Sequence, residues 1–267
     1  MDELIGRTFL FSGLDLSVNQ QVRVKHPTVS EVLSINQGFM CEDLYWSYVS
    51  TVLADPYDNM VWLDDRGVDY ESVSPLFTLG LRWATAKADC LSKSGQDAMD
   101  SLSSIAAIYS ALEFFLGKRD FDFVVDNGQT ILIDGSDPSW RLSDNEYSVV
   151  VSFIQKLNRI DYSGRIHPAS PGAKKILIQD MRDEQKRRKK NPKKEDPVCI
   201  IGDALSVVFA AGSGSITPTK YSGTRIYQLL SASHYIQKQM VVQAMLNGIY
   251  TGMLKADKLS DHDLRWV

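Results

Sequence analysis

A mainly α-helical fold with one small β-hairpin, an α+β arrangement in which helices dominate, is what this 267-residue sequence predicts. Three observations lead there. Apolar residues recur at helical spacing in at least five separate stretches. Two Ser/Thr-x-x-Glu capping boxes, at Thr28 and Ser143, mark helix starts. Asn127-Gly128 sits between two short β-rich runs and is the dipeptide that tolerates the positive φ of a tight hairpin turn.

The elements follow in chain order. Residues 8–25 alternate loosely, with Thr8, Phe9, Leu10 and Phe11 and later Val22 and Val24, and predict a short extended arm. His26-Pro27 ends it, because a residue before proline is pushed out of the α region. A helix opens at Thr28, capped with Glu31. A second runs over 42–54 on Leu44, Tyr45, Tyr48, Val49 and Val52. Asp55-Pro56 supplies a stop and a new N-cap for a helix over 56–64, which ends at Gly67. Residues 75–86 predict another helix, and 88–103, rich in Ser and Asp, an exposed connection. A helix over 104–116 precedes strands at about 121–126 and 129–134.

Ser143 and Glu146 open the next helix through Leu157. Two Gly, two Pro and two Ser between Tyr162 and Gly172 make a linker-like break. Residues 173–191 form a charged helix, and the chain from about 197 reads as helical with a Gly/Ser gap at 212–215. The predicted organisation is an N-terminal helical domain over 1–162, a linker with a basic helix over 163–196, and a C-terminal helical module over 197–267. The whole is a multi-helix globular body, either one unit or two lobes joined by the basic helix.

Composition narrows the function classes. With 44% apolar, 23% charged and 10% aromatic residues the chain can build a core, so wholesale disorder is excluded. A net charge of −4 argues against a dedicated nucleic-acid binder. Cys41, Cys90 and Cys199 are too few and too far apart for a disulfide framework or a four-cysteine zinc site. The acidic start Met1-Asp2-Glu3 and the short apolar runs lead us to expect neither a secretory signal nor a membrane span, and an intracellular location.

Few local patterns carry chemistry. Lys186, Arg187, Arg188, Lys189 and Lys190 form the densest basic patch, and phosphate contact is one use for it. The interleaved Asp180, Asp183 and Glu184 and the lack of aromatics favour a solvated helix or a dock for an acidic protein. Asp58, Asp64, Asp65, Asp69 and Glu71 share one window but do not have calcium-loop spacing. The four histidines are scattered, and the Gly212-Ser213-Gly214-Ser215 stretch lacks the Gly-Lys-Ser/Thr ending of a phosphate loop. No catalytic, cofactor or metal residues are therefore assigned, and a non-enzymatic protein is expected.

At the C-terminus, Arg225-Ile226-Tyr227-Gln228-Leu229-Leu230 leads through Tyr235 into Gly248-Ile249-Tyr250-Thr251-Gly252, followed by Lys255, Lys258 and Trp266. This pattern resembles the closing segment of a tail-gene protein family in phages and prophages of Gram-positive bacteria. His26-Pro27-Thr28, Asp55-Pro56-Tyr57-Asp58 and Leu63-Asp64-Asp65 match its front, while 88–103 has no counterpart there. The family is similar to the tail assembly chaperones of long-tailed phages. The resemblance implies a chaperone that coats the tape measure protein in the host cytoplasm, with no cofactor, and with self-association left open. The alternative it leaves is a retained virion component such as a connector, tail-completion or baseplate protein. Neither membrane nor nucleic acid is an expected partner. Helix-in-groove docking would use Leu229, Tyr235, Met240, Met245 and Trp266, which are otherwise core residues.

Overall fold

The computed structural model describes residues 5–35, 42–137, 139–190, 199–212 and 216–251. It is mainly α with a small β component. The described helices are α1 (Arg7–Ser12), α2 (Val29–Ser34), α3 (Asp43–Leu53), α4 (Met60–Asp64), α5 (Pro75–Ser92), α6 (Gln96–Leu116), α7 (Asp144–Leu157), α8 (Pro171–Lys190), α9 (Ile200–Ala210) and α10 (Ile226–Tyr250). The strands are β1 (Leu16–Ser17), β2 (Arg23–Val24), β3 (Phe121–Asp126), β4 (Gln129–Asp134) and β5 (Arg141–Leu142). β1 pairs with β2, and β3-β4-β5 form a three-stranded antiparallel sheet.

Local chemistry accounts for the best-defined boundaries. Both capping boxes form: Thr28 accepts from the Glu31 N–H and Ser143 from the Glu146 N–H, while each glutamate reaches back to its cap. Asn127 and Gly128 take φ values of 50° and 78°, so the hairpin closes in the register Asp126 to Gln129. Gly80 lets that hairpin lie on α5, because a Cβ there would come within 3.1 Å of Thr130 and 3.2 Å of Phe123.

Two sequence expectations are corrected. Residues 7–12 are helical rather than extended, and only 16–17 and 23–24 of the arm pair as strands. Leu10 turns into the core and Gly13, at φ 73°, ends the turn. The supposed connection 88–103 is mostly helix: α5 continues to Ser92, α6 starts at Gln96, and Gly95 (φ 66°) makes the reversal. Ser101, Ser103 and Ser104 each donate to a carbonyl four residues back at 2.9 Å, which lets a polar run stay helical. α6 is long and apolar enough to cross a membrane by length and composition, a criterion that core helices also meet. Its inner face, Ile108, Ala111, Leu112, Phe115 and Leu116, is buried in the core.

One large apolar cluster draws on α1, α2, α3, α5, α6, α7, the sheet, α9 and the first part of α10. The boundaries at 162 and 197 therefore do not separate two cores: Ile201, Val208, Ile226 and Leu229 belong to the same cluster as Val49, Phe115 and Phe153. The backbone adds a direct stitch between the two ends of the chain. The Val29 N–H donates to Thr224 O at 2.8 Å, and the Ile226 N–H to Pro27 O at 3.1 Å. Two buried tyrosine hydroxyls of the main core are satisfied as well. Tyr147 Oη donates to Val52 O at 2.6 Å, and Tyr45 Oη to Asn158 Oδ1 at 2.7 Å, tying α3 to α7.

A second, smaller cluster of Met60, Val61, Leu63, Tyr70 and Ile178 joins α4 and its following loop to α8. The basic helix thus lies along its own chain's acidic window instead of bridging two lobes. Lys174 pairs with Asp69 and, at 2.6 Å, with Glu71, while Arg182 meets Asp65 at 2.6 Å and Asp64 at 3.0 Å. Residues 174, 178 and 182 share one helix face, so the two cations flank a buried isoleucine.

Candidate functional site

α10 is where the sequence placed its partner-binding residues, and its two halves differ. Up to Ser233 the helix is embedded: Ile226, Tyr227, Leu229, Leu230, Ser231 and Ser233 are all buried. From Gln237 to Tyr250 only Val242 is buried, and α9 packs against α10. Met240, Val241 and Tyr250 are exposed, at 55%, 52% and 84%. Such large apolar side chains on an otherwise solvated helix leave apolar area that a partner can cover.

Each expected residue has a distinct position. Leu229 is fully buried, so it is a core residue and not part of a docking surface. Tyr235 is half-buried beside His234, their rings 5.9 Å apart. Met240 faces solvent and Met245 is half-buried. Trp266 lies outside the described residues. In the basic patch, Lys186, Arg187, Arg188, Lys189 and Lys190 are all exposed. Lys186 reaches Asp183 at 3.6 Å and Arg188 reaches Glu184 at 3.1 Å, as ordinary pairs along one helix.

α9 is held by a contact the sequence did not reveal. Glu42, 3% exposed, accepts from the N–H groups of Ile201 at 2.8 Å and Gly202 at 2.5 Å, and from the Trp46 indole at 3.2 Å. A carboxylate from the start of α3 thus answers the orphan donors and positive dipole end of α9. Their separation by about 160 positions in the chain leaves no local motif to read.

Two cavities flank these elements. One, of about 570 Å³, lies between α4, α5, α6 and α8 and mixes charges: Asp58, Asp89, Asp97 and Asp100 face Arg66, Arg82 and Lys93. Burial pushes the Arg82 pKa down there. The other, of about 510 Å³, lies where α1, the end of α7 and α10 meet, and Tyr235 lines it. No protein-family model, curated protein or solved structure matches this chain.

The geometry offers surfaces more than reactive groups. Among the described residues no group of three His, Cys, Asp or Glu is placed to hold a metal ion. His26 is fully buried, its two ring nitrogens lack hydrogen-bond partners, and burial, with Arg225 nearby, lowers its pKa to about 4. It stacks edge-on against Phe153 at 6.0 Å, as a core ring. The acidic window considered for a divalent ion is engaged instead with Lys174, Arg182 and Arg165, the last meeting Asp55 at 2.7 Å and Asp58 at 3.0 Å. A run of carboxylates followed in the chain by a run of cations was the available signal for this pairing.

Proposed function

We propose that this chain is a non-enzymatic phage tail morphogenesis protein, an assembly chaperone that binds the tape measure protein in the host cytoplasm. The single observation that carries the reading is the outer half of α10, where Met240, Val241 and Tyr250 stay exposed on a helix whose inner half is core. The same helix holds the residues of the tail-family resemblance, Arg225 to Tyr250. A tape measure is a long apolar helical protein that must stay soluble until the tube closes around it. Methionine and valine exposed on a helix suit weak and adaptable contacts with such a helix.

Co-expression tests the proposal. The wild-type chain should keep a co-expressed tape measure protein in solution, and Met240→Asp with Val241→Asp should return it to the pellet while the chain itself stays folded. Soluble tape measure with the double variant would remove α10 from the mechanism. Mass spectrometry of purified virions then separates an assembly chaperone, absent from mature particles, from a retained structural component.

A further inference from the structure

Arg165, Lys174 and Arg182 face the carboxylates of the acidic window, whereas three cations around the α1–α7–α10 cavity face none among the described residues. Arg7, Arg159 and Lys238 line it, each from a different part of the chain, and none has an ion-pair partner among the described residues. Lys156 also lines it and has a partner of its own. Asp161, the one carboxylate lining the cavity among the described residues, is turned to Ser163, accepting from its N–H at 2.8 Å and its hydroxyl at 2.9 Å. Arg7, Arg159 and Lys238 around one opening make it locally cationic in a chain of net charge −4.

Helix α7 explains part of this. Lys156 and Arg159 sit at its C-terminus, where the helix dipole favours positive charge. Arg7 and Lys238 come from α1 and α10 and have no such reason to converge. Arg159 is also held in place: its backbone is left-handed at φ 54°, and Nη1 donates to Ser231 Oγ at 3.3 Å. His234 registers the field, since burial and then Arg159 and Lys238 lower its pKa. Beneath the charges the lining is apolar, with Ile5, Leu10 and Ile160 and the rings of Tyr227 and Tyr235.

We infer that this cavity binds an organic anion, a carboxylate or phosphate carried on an aromatic or aliphatic body. The guanidinium and ammonium groups supply charge-assisted hydrogen bonds to the head, and the apolar floor covers the body. The volume is that of a small-ligand site. This site is separate from the exposed face of α10 and holds whether or not the tape measure is the partner.

NMR titration of the ¹⁵N-labelled full chain with four probes tests it: phenyl phosphate, N-acetyl-phenylalanine, inorganic phosphate and benzyl alcohol. Saturable shifts at Ile160, Ser231 and His234 are expected with phenyl phosphate or N-acetyl-phenylalanine. The tighter of the two assigns a phosphate or a carboxylate source. Inorganic phosphate and benzyl alcohol should bind at least about tenfold more weakly, since each lacks the body or the charge. Arg159→Gln with Lys238→Gln should weaken the organic anion about tenfold or more, with an unchanged melting temperature. The His234 ring should gain a proton more readily in the complex. The inference is overturned if no probe saturates by about 10 mM, if the double variant binds as well, or if inorganic phosphate binds as tightly as the organic anions.

Discussion

The main core and the α4–α8 seam both hold helices together, by different means. In the core, Phe115, Phe121, Phe153, Tyr45 and Tyr147 are almost wholly excluded from water, and the two tyrosine hydroxyls are hydrogen-bonded across α3 and α7. The seam has a thin apolar strip around Ile178, framed by exposed ion pairs and by cations over rings: Arg165 lies 3.3 Å from the Tyr162 centroid and Lys174 4.6 Å from that of Tyr70. Burying a large side chain stabilises by about 1.5–3 kcal/mol, whereas an exposed ion pair contributes about 0–1 kcal/mol. The core therefore decides whether the chain folds. The seam decides where one helix lies, and it should open first.

Cavity formation gives the largest expected difference. Phe153→Ala should cost about 3–5 kcal/mol, read from urea midpoints, because rigid neighbours cannot close the space. Ile178→Ala should fall at the low end of its class, about 2 kcal/mol, because a surface strip can collapse. Equal costs would erase the distinction between the two regions.

Acid separates them next. His26 has a folded pKa of about 4 against an ordinary 6.5, so the unfolded chain binds more protons between those values. Stability present above pH 6.5 is then lost as pH falls toward 4, by up to about 3 kcal/mol. His26→Leu should flatten that part of the urea-midpoint profile. In the seam, the Lys174 ammonium holds the Asp69 pKa below its ordinary value of 3.8, so its contribution is lost only as pH falls below that value. A His26→Leu profile as steep as the wild type between pH 6.5 and 4 would assign the acid response elsewhere.

Between these lies the joint at Glu42. Glu42→Ala leaves the Ile201 and Gly202 donors and the Trp46 indole without their acceptor, and should cost about 2 kcal/mol, with faster amide exchange confined first to α9. Uniform exchange across α3 and α9 would mean that the carboxylate supports the whole core.

The smallest effects belong to the seam's charges. Lys174→Gln or Arg182→Gln should each cost under about 1 kcal/mol, and less in high salt. Replacing Arg187, Arg188, Lys189 and Lys190 together with Gln should change stability by a few tenths to about 1 kcal/mol. Thermal melts at low and high ionic strength check both. A larger loss from the second set would show that the end of α8 is structurally paired.

Short-range signals in the sequence were legible because each completes its own interaction within a few residues. Thr28 with Glu31, Ser143 with Glu146, and Asn127-Gly128 carry both partners or the whole turn in one stretch. The periodic apolar residues of α3 and α7 were equally readable, since one helix face repeats along the chain. Local composition misled at 88–103, where serines that would suit a loop satisfy themselves on the helix backbone and α5 packs against α6. It misled again at 7–12, where burial of Leu10 favours a helix over an extended arm. Leu229 and Met240 occupy similar places in an apolar pattern, and only packing makes one core and the other surface.

What the sequence by itself determined is most of the helices, the two capping boxes and the hairpin register, because hydrogen bonds and φ preferences act between neighbours. What only the tertiary structure decided is which distant charges meet. The acidic window found the cations of α8, Glu42 found the start of α9, and Arg7, Arg159 and Lys238 found one another around a cavity. Electrostatics and burial act through distance in space, and separations of about 80 to 230 positions in the chain leave no short-range motif that says which groups meet.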